Sequence, residues 1–245
     1  MQPKIYNITL QHLESEHYKE MILKDMTNDY YWSNDWSQEL YVKLAQMGFI
    51  CTTYDTKEGL VLLPELQFEY GILDFKNLHI SKKVQKLINK NDSTLYFNTR
   101  FDEVLQRFSL QHKNNWLKDE YAILLKELYT NHKESNNFKI CCIELISNES
   151  KELIAGEIGY KIGKTYTSLS GFSSKEKKYN NYGKLQLVLL AKHLEKEGFN
   201  FWNLGHPHMV YKQKLGCITH SREEFLKRWN RAIKLGISDK IYGSF

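Results

Sequence analysis

Nowhere does this 245-residue chain hold the roughly 20 consecutive apolar residues that a membrane-spanning helix needs. Its first residues also lack the apolar core of a secretory signal, so the expectation is a cytoplasmic protein with no membrane partner. Cysteine is scarce as well. The four present include the adjacent pair Cys141 and Cys142 but no CxxC spacing, which excludes a disulfide framework and a cysteine zinc site and fits a reducing compartment. With only three prolines, no linker is proline-rich, and no internal repeat or low-complexity tract interrupts the chain. An excess of one charge is also missing. Lysine and arginine number 34 against 29 acids, a net charge of +5 that permits a nucleic-acid partner without demanding one.

What remains is an ordinary globular composition, 42% apolar and 26% charged, long enough for one large domain or two modest ones. The organising stretch runs from Glu152 to Gly216. Residues 153–162 and 165–169 read as strands around a Gly163-Lys164 turn. Leu185, Val188, Leu189, Ala191 and Leu194 then recur at helical spacing, Gly198 marks the stop, and residues 199–204 return as a short strand. A hairpin, a helix and a further strand make half of a mixed sheet with a helix packed on it. Its active edge is expected near residues 168–171 and 203–208.

Upstream, alternating strand and helix patterns fill the first hundred residues. They include a helix capped by Asp35 or Ser37 and buried through Leu40, Val42, Leu44 and Met47, and a strand pair around Lys57-Glu58-Gly59. The expected class is therefore α/β (α+β), divided into a mixed N-terminal subdomain over residues 1–112 and a C-terminal domain over residues 113–245.

Several side chains suggest chemistry. Tyr166, Ser168 and Ser170 alternate along one strand and so share a face, with Asn203 expected on the neighbouring strand. His206 and His208 follow Asn203 in one loop, where a neutral imidazole is a competent base. With His220 they lack the carboxylate and the tight spacing of a metal site, so no metal is expected. Lysine clusters at Lys82-Lys83, at Lys178 with Lys184, and at Lys212 with Lys214 read singly as solvated faces and together as a phosphate-binding rim. Trp116 is open to core packing or to base stacking.

From Asp35 to Arg228 the order of short motifs resembles the leucyl/phenylalanyl-tRNA–protein transferases, a branch of the GNAT-like acyltransferases. The segments Asp35-Trp36-Ser37-Gln38-Glu39 and His79-Ile80-Ser81-Lys82 match the early patterns, and Tyr96-Phe97-Asn98-Thr99 and Trp116 match the middle ones. Residues 153–163 match LVGGLYGVALG without a gap, Leu169-Ser170-Gly171-Phe172-Ser173 matches ESMFS, and Leu215-Gly216-Cys217 with Arg222 and Phe225-Leu226 matches the closing SLGA…R..FL. The resemblance implies a GNAT-like mixed sheet and transfer of a leucyl or phenylalanyl group from charged tRNA to a protein or peptide N-terminal amine, with no cofactor. On that reading, the residues of this chain offered for the chemistry are Asn203, at the position of the family's acid, and His206 as a stand-in base. Tyr166, Ser168, Ser170, Trp116 and His208 are the candidates around the substrates, and Lys82, Lys83, Lys178, Lys184, Lys212 and Lys214 those on the tRNA.

The departures fall on the family's LxDxQ segment, where Asn203 replaces the acid and Gly205 the glutamine, and on the acid of ESMFS, replaced by Leu169. An amide can orient an amine but not deprotonate it. Two further readings therefore stay open: a tRNA- or peptide-binding relative with altered catalysis, and an acyl-CoA-dependent N-acyltransferase. The second lacks the Q/R-x-x-G-x-G/A loop around Tyr179-Asn180-Asn181-Tyr182-Gly183.

Overall fold

The computed structural model describes residues 5–111, 117–131 and 137–235. Near the N-terminus β1 is limited to Tyr6–Asn7, because Thr9 caps a helix that begins one residue later. Two short helices follow, α1 (Leu10–Glu14) and α2 (Glu16–Lys24), and β2 (Tyr31–Trp32) pairs in parallel with β1. Ser37 accepts the Leu40 N–H and caps α3 (Gln38–Gln46), which buries Leu40, Val42 and Leu44 as their spacing predicts. The hairpin of β3 (Ile50–Thr56) and β4 (Gly59–Glu65) forms a separate two-stranded sheet.

The main sheet has seven strands. The upstream stretch supplies β5 (Glu69–Leu73) and, after α4 (Lys82–Lys90), β6 (Ser93–Phe97). Two helices, α5 (Phe101–Gln111) and α6 (Asp119–Thr130), precede the antiparallel run of β7 (Phe138–Ser147), β8 (Leu153–Ile162) and β9 (Thr165–Ser173). Helix α7 (Tyr182–Lys196) then crosses back to β10 (Phe201–Asn203), and α8 (Val210–Leu215), β11 (Ile218–Ser221) and α9 (Arg222–Ala232) complete the fold. The strand order is β11-β5-β10-β9-β8-β7-β6, antiparallel throughout except for the β9–β10 pair.

This is the mixed α/β class the sequence predicts. Strands β5 and β6, from the first 112 residues, lie in the same sheet as β7 to β11, and the expected division at residue 112 lies outside the described residues. Both sheet faces are covered, so the inner strands read as near-continuous apolar runs. One face packs against α3, α5, α6 and α9 through Leu44, Phe108, Leu125 and Trp229. The other carries α4 and α7 through Val84, Leu185, Val188 and Leu194.

Strand β10 pairs with β9 only from Thr165 to Thr167, whereas β9 runs on to Ser173 along β8. A crevice opens where β10 stops, as expected where strand neighbours diverge in such sheets. In addition, the β8–β9 register shifts at Leu169, so that Gly159 faces Ser168 while Ile158 faces Ser170. This bulge interrupts the alternation that would place Tyr166, Ser168 and Ser170 on a single face.

Candidate active site

The crevice is a cleft of about 1170 Å³. One wall is β9 beyond Thr167 with the loop after it, another is the first turn of α7, and the third is Leu204 with Met209, Tyr211 and Lys212. It lies beside the strand ends where the sequence places the active edge.

At its floor sits a residue that motif reading passed over. Glu157, in the middle of β8, is only 3% exposed, yet it lines the cleft. Tyr166 Oη and Ser168 Oγ both donate to its Oε1, at 3.0 and 2.6 Å. The Trp202 indole N–H donates to Ser168 Oγ at 2.8 Å, which directs the serine hydroxyl's own proton onto Glu157. Among the described residues, Oε2 takes part in no hydrogen bond. Burial raises the Glu157 carboxyl to about 7, against the lowering effect of the two hydroxyls and the Lys212 charge.

Lys212 is the counterpart across the cleft. It is buried rather than surface-solvated, and its Nζ donates to the carbonyls of Leu204 and His206. Burial lowers its pKa. A cation fastened to two carbonyls inside the cleft wall is a fixed local charge, not a mobile phosphate contact.

Asn203 is fully buried and does not line the cleft. Its Nδ2 donates to Thr167 Oγ1 at 3.4 Å and its Oδ1 accepts the Gly205 N–H at 2.9 Å, so the side chain fastens the turn in which Gly205 takes φ +70°. His206 is half-exposed, and its Nε2 lies 3.0 Å from Glu65 Oε2 on β4. That hydrogen bond raises its pKa. His208 pairs with Glu69 and His220 with Arg228, and no group of three metal-ligating side chains occurs among the described residues.

Tyr166, Ser168, Ser170, Lys184 and Lys212 are thus brought together on or beneath the cleft. Lys178 is held by Glu152 and Glu176 on the outer surface, while Lys175 and Lys177 join Lys184 in lining the cleft. Lys82 and Lys83 lie exposed at the start of α4, and Lys214 is exposed on α8, all away from the cleft lining. Trp116 lies outside the described residues. The signal for Glu157 was present in the sequence: an acid stands where the matched LVGGLYGVALG pattern has a leucine, in the middle of a strand that is otherwise largely apolar.

Comparison with known proteins bears on the same segment. A family model described as leucyl/phenylalanyl-tRNA protein transferase matches residues 72–230. A protein of that name from Pseudoalteromonas atlantica is 30% identical over 177 residues, covering 70% of this chain and 69% of its own length. Another, from Flavobacterium johnsoniae, is 28% identical over 159 residues, covering 63% and 69%. Among solved structures, L-PGS from Bacillus licheniformis superposes with a TM-score of 0.42 at 14% identity, over 67% of this chain and 64% of that one.

Proposed function

Because the chain belongs to the leucyl/phenylalanyl-tRNA protein transferase family, we propose that it moves a leucyl or phenylalanyl group from charged tRNA to the N-terminal amine of a protein or peptide, within the cleft beside β9. One observation carries this assignment: every described residue lining the cleft falls between Gly156 and Lys212, inside the segment that matches the family. The aminoacyl ester is already activated, so the protein's tasks are to bind two substrates, align them and move one proton.

The charge distribution suits the donor. Lys175, Lys177 and Lys184 lie along the cleft next to the start of α7, where unpaired backbone N–H groups and the helix dipole favour anions. The terminal phosphates of the tRNA contact these lysines, and the aminoacyl end lies deeper, towards β9. Lys82, Lys83 and Lys214, exposed beyond the cleft, contact the tRNA further from its charged end. Asn203 holds the Gly205 turn that forms the cleft wall, and His206 ties that turn to the β3–β4 hairpin through Glu65.

The test is a transfer assay with tRNA charged with labelled leucine or phenylalanine and peptides of different N-terminal residues. Label is expected in peptide with at least one acceptor. Absence of label for every pair, with salt-sensitive binding of charged tRNA intact, would instead establish a binding protein without catalysis. Label transferred only from acyl-CoA would establish the N-acyltransferase.

A further inference from the structure

Aminoacyl transfer needs a group that takes a proton from the attacking amine, and the side chains at positions 203 and 205 supply none. Asn203 has no basic atom, and both ends of its amide are engaged by Thr167 and Gly205. The His206 imidazole is committed to Glu65 and does not line the cleft. Lys212 is anchored to two carbonyls. Of the groups facing the cleft floor, Glu157 alone among the described residues combines a basic atom, burial and a polar support.

We propose that Glu157 is the proton acceptor of the transfer reaction, its carboxylate held by Tyr166 and Ser168 on Oε1 and presenting Oε2 to the incoming amine. This rests on the aminoacyl-transfer reading. Three features of the geometry carry it. First, both supporting hydroxyls are spent on one oxygen, so the second oxygen is left to a substrate. Second, the support is itself supported: Trp202 orients Ser168, and the Tyr166 ring packs edge-on against the Trp202 ring with centroids 5.8 Å apart. A base held by locked partners loses little freedom when it reacts. Third, Lys212 lies on the facing wall, and its positive charge favours the ionised carboxylate before the reaction and the oxyanion during it.

The proton balance is simple. The lone pair of the neutral amine forms the new C–N bond at the ester carbonyl, and the tetrahedral adduct gives one amine proton to Glu157. The ester C–O bond then breaks with its electron pair on the ribose oxygen at the tRNA terminus, and that oxygen recovers the proton from Glu157. The carboxylate is regenerated, and no cofactor or co-reactant is consumed. A carboxyl near neutrality is matched to both halves of this shuttle, since it is partly ionised at the start and acidic enough to return the proton. The titratable groups that sense the Glu157 charge are Tyr166 on β9, Cys142 on β7, and Tyr211 and Lys212 on α8. Burial keeps the Cys142 and tyrosine protons on well above neutrality and lowers the Lys212 pKa, so neither the thiol nor the phenols titrate beside the carboxyl near pH 7.

The experiment compares wild type, Glu157→Gln and Ser168→Ala across a pH series, with the same charged tRNA and the same peptide throughout. The acceptor's own ionisation then cancels between variants. Glu157→Gln is expected to slow transfer by roughly 100-fold or more while leaving affinity for charged tRNA and the thermal melt at acidic pH near wild type. Ser168→Ala removes a donor that favours the charged carboxylate, so its rising limb is expected to move to higher pH. If Glu157→Gln transfers within a few-fold of wild type with an unchanged profile, the assignment is overturned and the aminoacyl-transfer reading stands. If Glu157→Gln is inactive because charged tRNA no longer binds, or Ser168→Ala is slowed without a shift, Glu157 is structural and the assignment fails. If wild type transfers nothing from any charged tRNA, both fall together.

Discussion

Glu157 is an acid buried in a strand, and that placement has a thermodynamic signature apart from catalysis. Its folded-state pKa, near 7, is raised above the ordinary carboxyl value of 4.5. The native state therefore holds a proton that the unfolded chain has released between those values. Stability from this group is complete below the unfolded pKa and is lost as pH rises through about 7. Glu157→Gln cannot lose that proton, so it should melt several degrees above wild type at about pH 8 and close to wild type at about pH 5. Identical pH dependence of the two melting curves would mean that the carboxyl is not buried as described. Lys212 acts in the opposite sense. Lys212→Met removes a positive charge that holds the Glu157 pKa down and leaves the Leu204 and His206 carbonyls without their donor. The rising limb of the transfer profile should move to higher pH, and stability should fall by roughly 1–3 kcal/mol, measured by denaturant unfolding.

At the scale of elements, the short C-terminal ones are fastened by residues that a motif comparison flags without saying why. Arg222, first residue of α9, is 1% exposed. Its guanidinium donates to the carbonyls of Asp25, Asn28, Leu66 and Gln67 and lies over the Phe68 ring at 4.7 Å. It thus clamps the loop after α2, the end of β4 and the start of β5 onto α9. A lysine carries one point charge and cannot span four carbonyls in that fork. Arg222→Lys should therefore cost on the order of 3 kcal/mol, read as a lower denaturant midpoint with an unchanged slope. Gly216, which ends α8, has φ +107°, and a Cβ there would sit 2.0 Å from the Asn77 carbonyl oxygen. Only glycine lets α8 close against the segment before α4, and α8 carries Lys212 to the cleft. In this chain the two positions therefore serve packing.

At the scale of the molecule, the mild basicity becomes informative once it is located. The net charge of +5 is spread over many surfaces, but four lysines line one cleft, and three of them, Lys175, Lys177 and Lys184, are not fastened into its wall as Lys212 is. Binding of charged tRNA should weaken linearly on a log–log plot against salt, and Lys175→Ala, Lys177→Ala and Lys184→Ala should each reduce the slope by roughly 0.7–1. Lys82→Ala with Lys83→Ala should weaken binding of whole tRNA and leave an aminoacylated 3′-terminal fragment unaffected, since α4 lies outside the cleft. Equal loss for both ligands would place the acceptor end of the tRNA against α4 instead. No helix among the described residues is long and apolar enough to cross a membrane.

Much of this was present in the linear pattern. The hairpin, α7 and the return strand follow from period-two and helical spacing, because an apolar side chain must be buried on whichever face its element presents. The run of motifs was likewise enough to predict the family, since short signatures in fixed order over a long span are hard to match by accident. Three things were decided only by tertiary structure. The bulge at Leu169 is one extra residue in a ladder, which no periodicity announces, and it parts Ser170 from the face of Tyr166 and Ser168. The roles of Asn203, His206 and Lys212 depend on partners distant in sequence or set by a turn: Thr167 at 36 residues' separation, Glu65 on the β3–β4 hairpin, and the Leu204 carbonyl. Glu157 reads in the chain as an acid in an apolar strand, an apparent local error. Only the fold sets Tyr166, Ser168 and the Trp202 chain around it and opens a cleft above it, and only burial raises its pKa, because desolvation is a property of the surroundings and not of the residue.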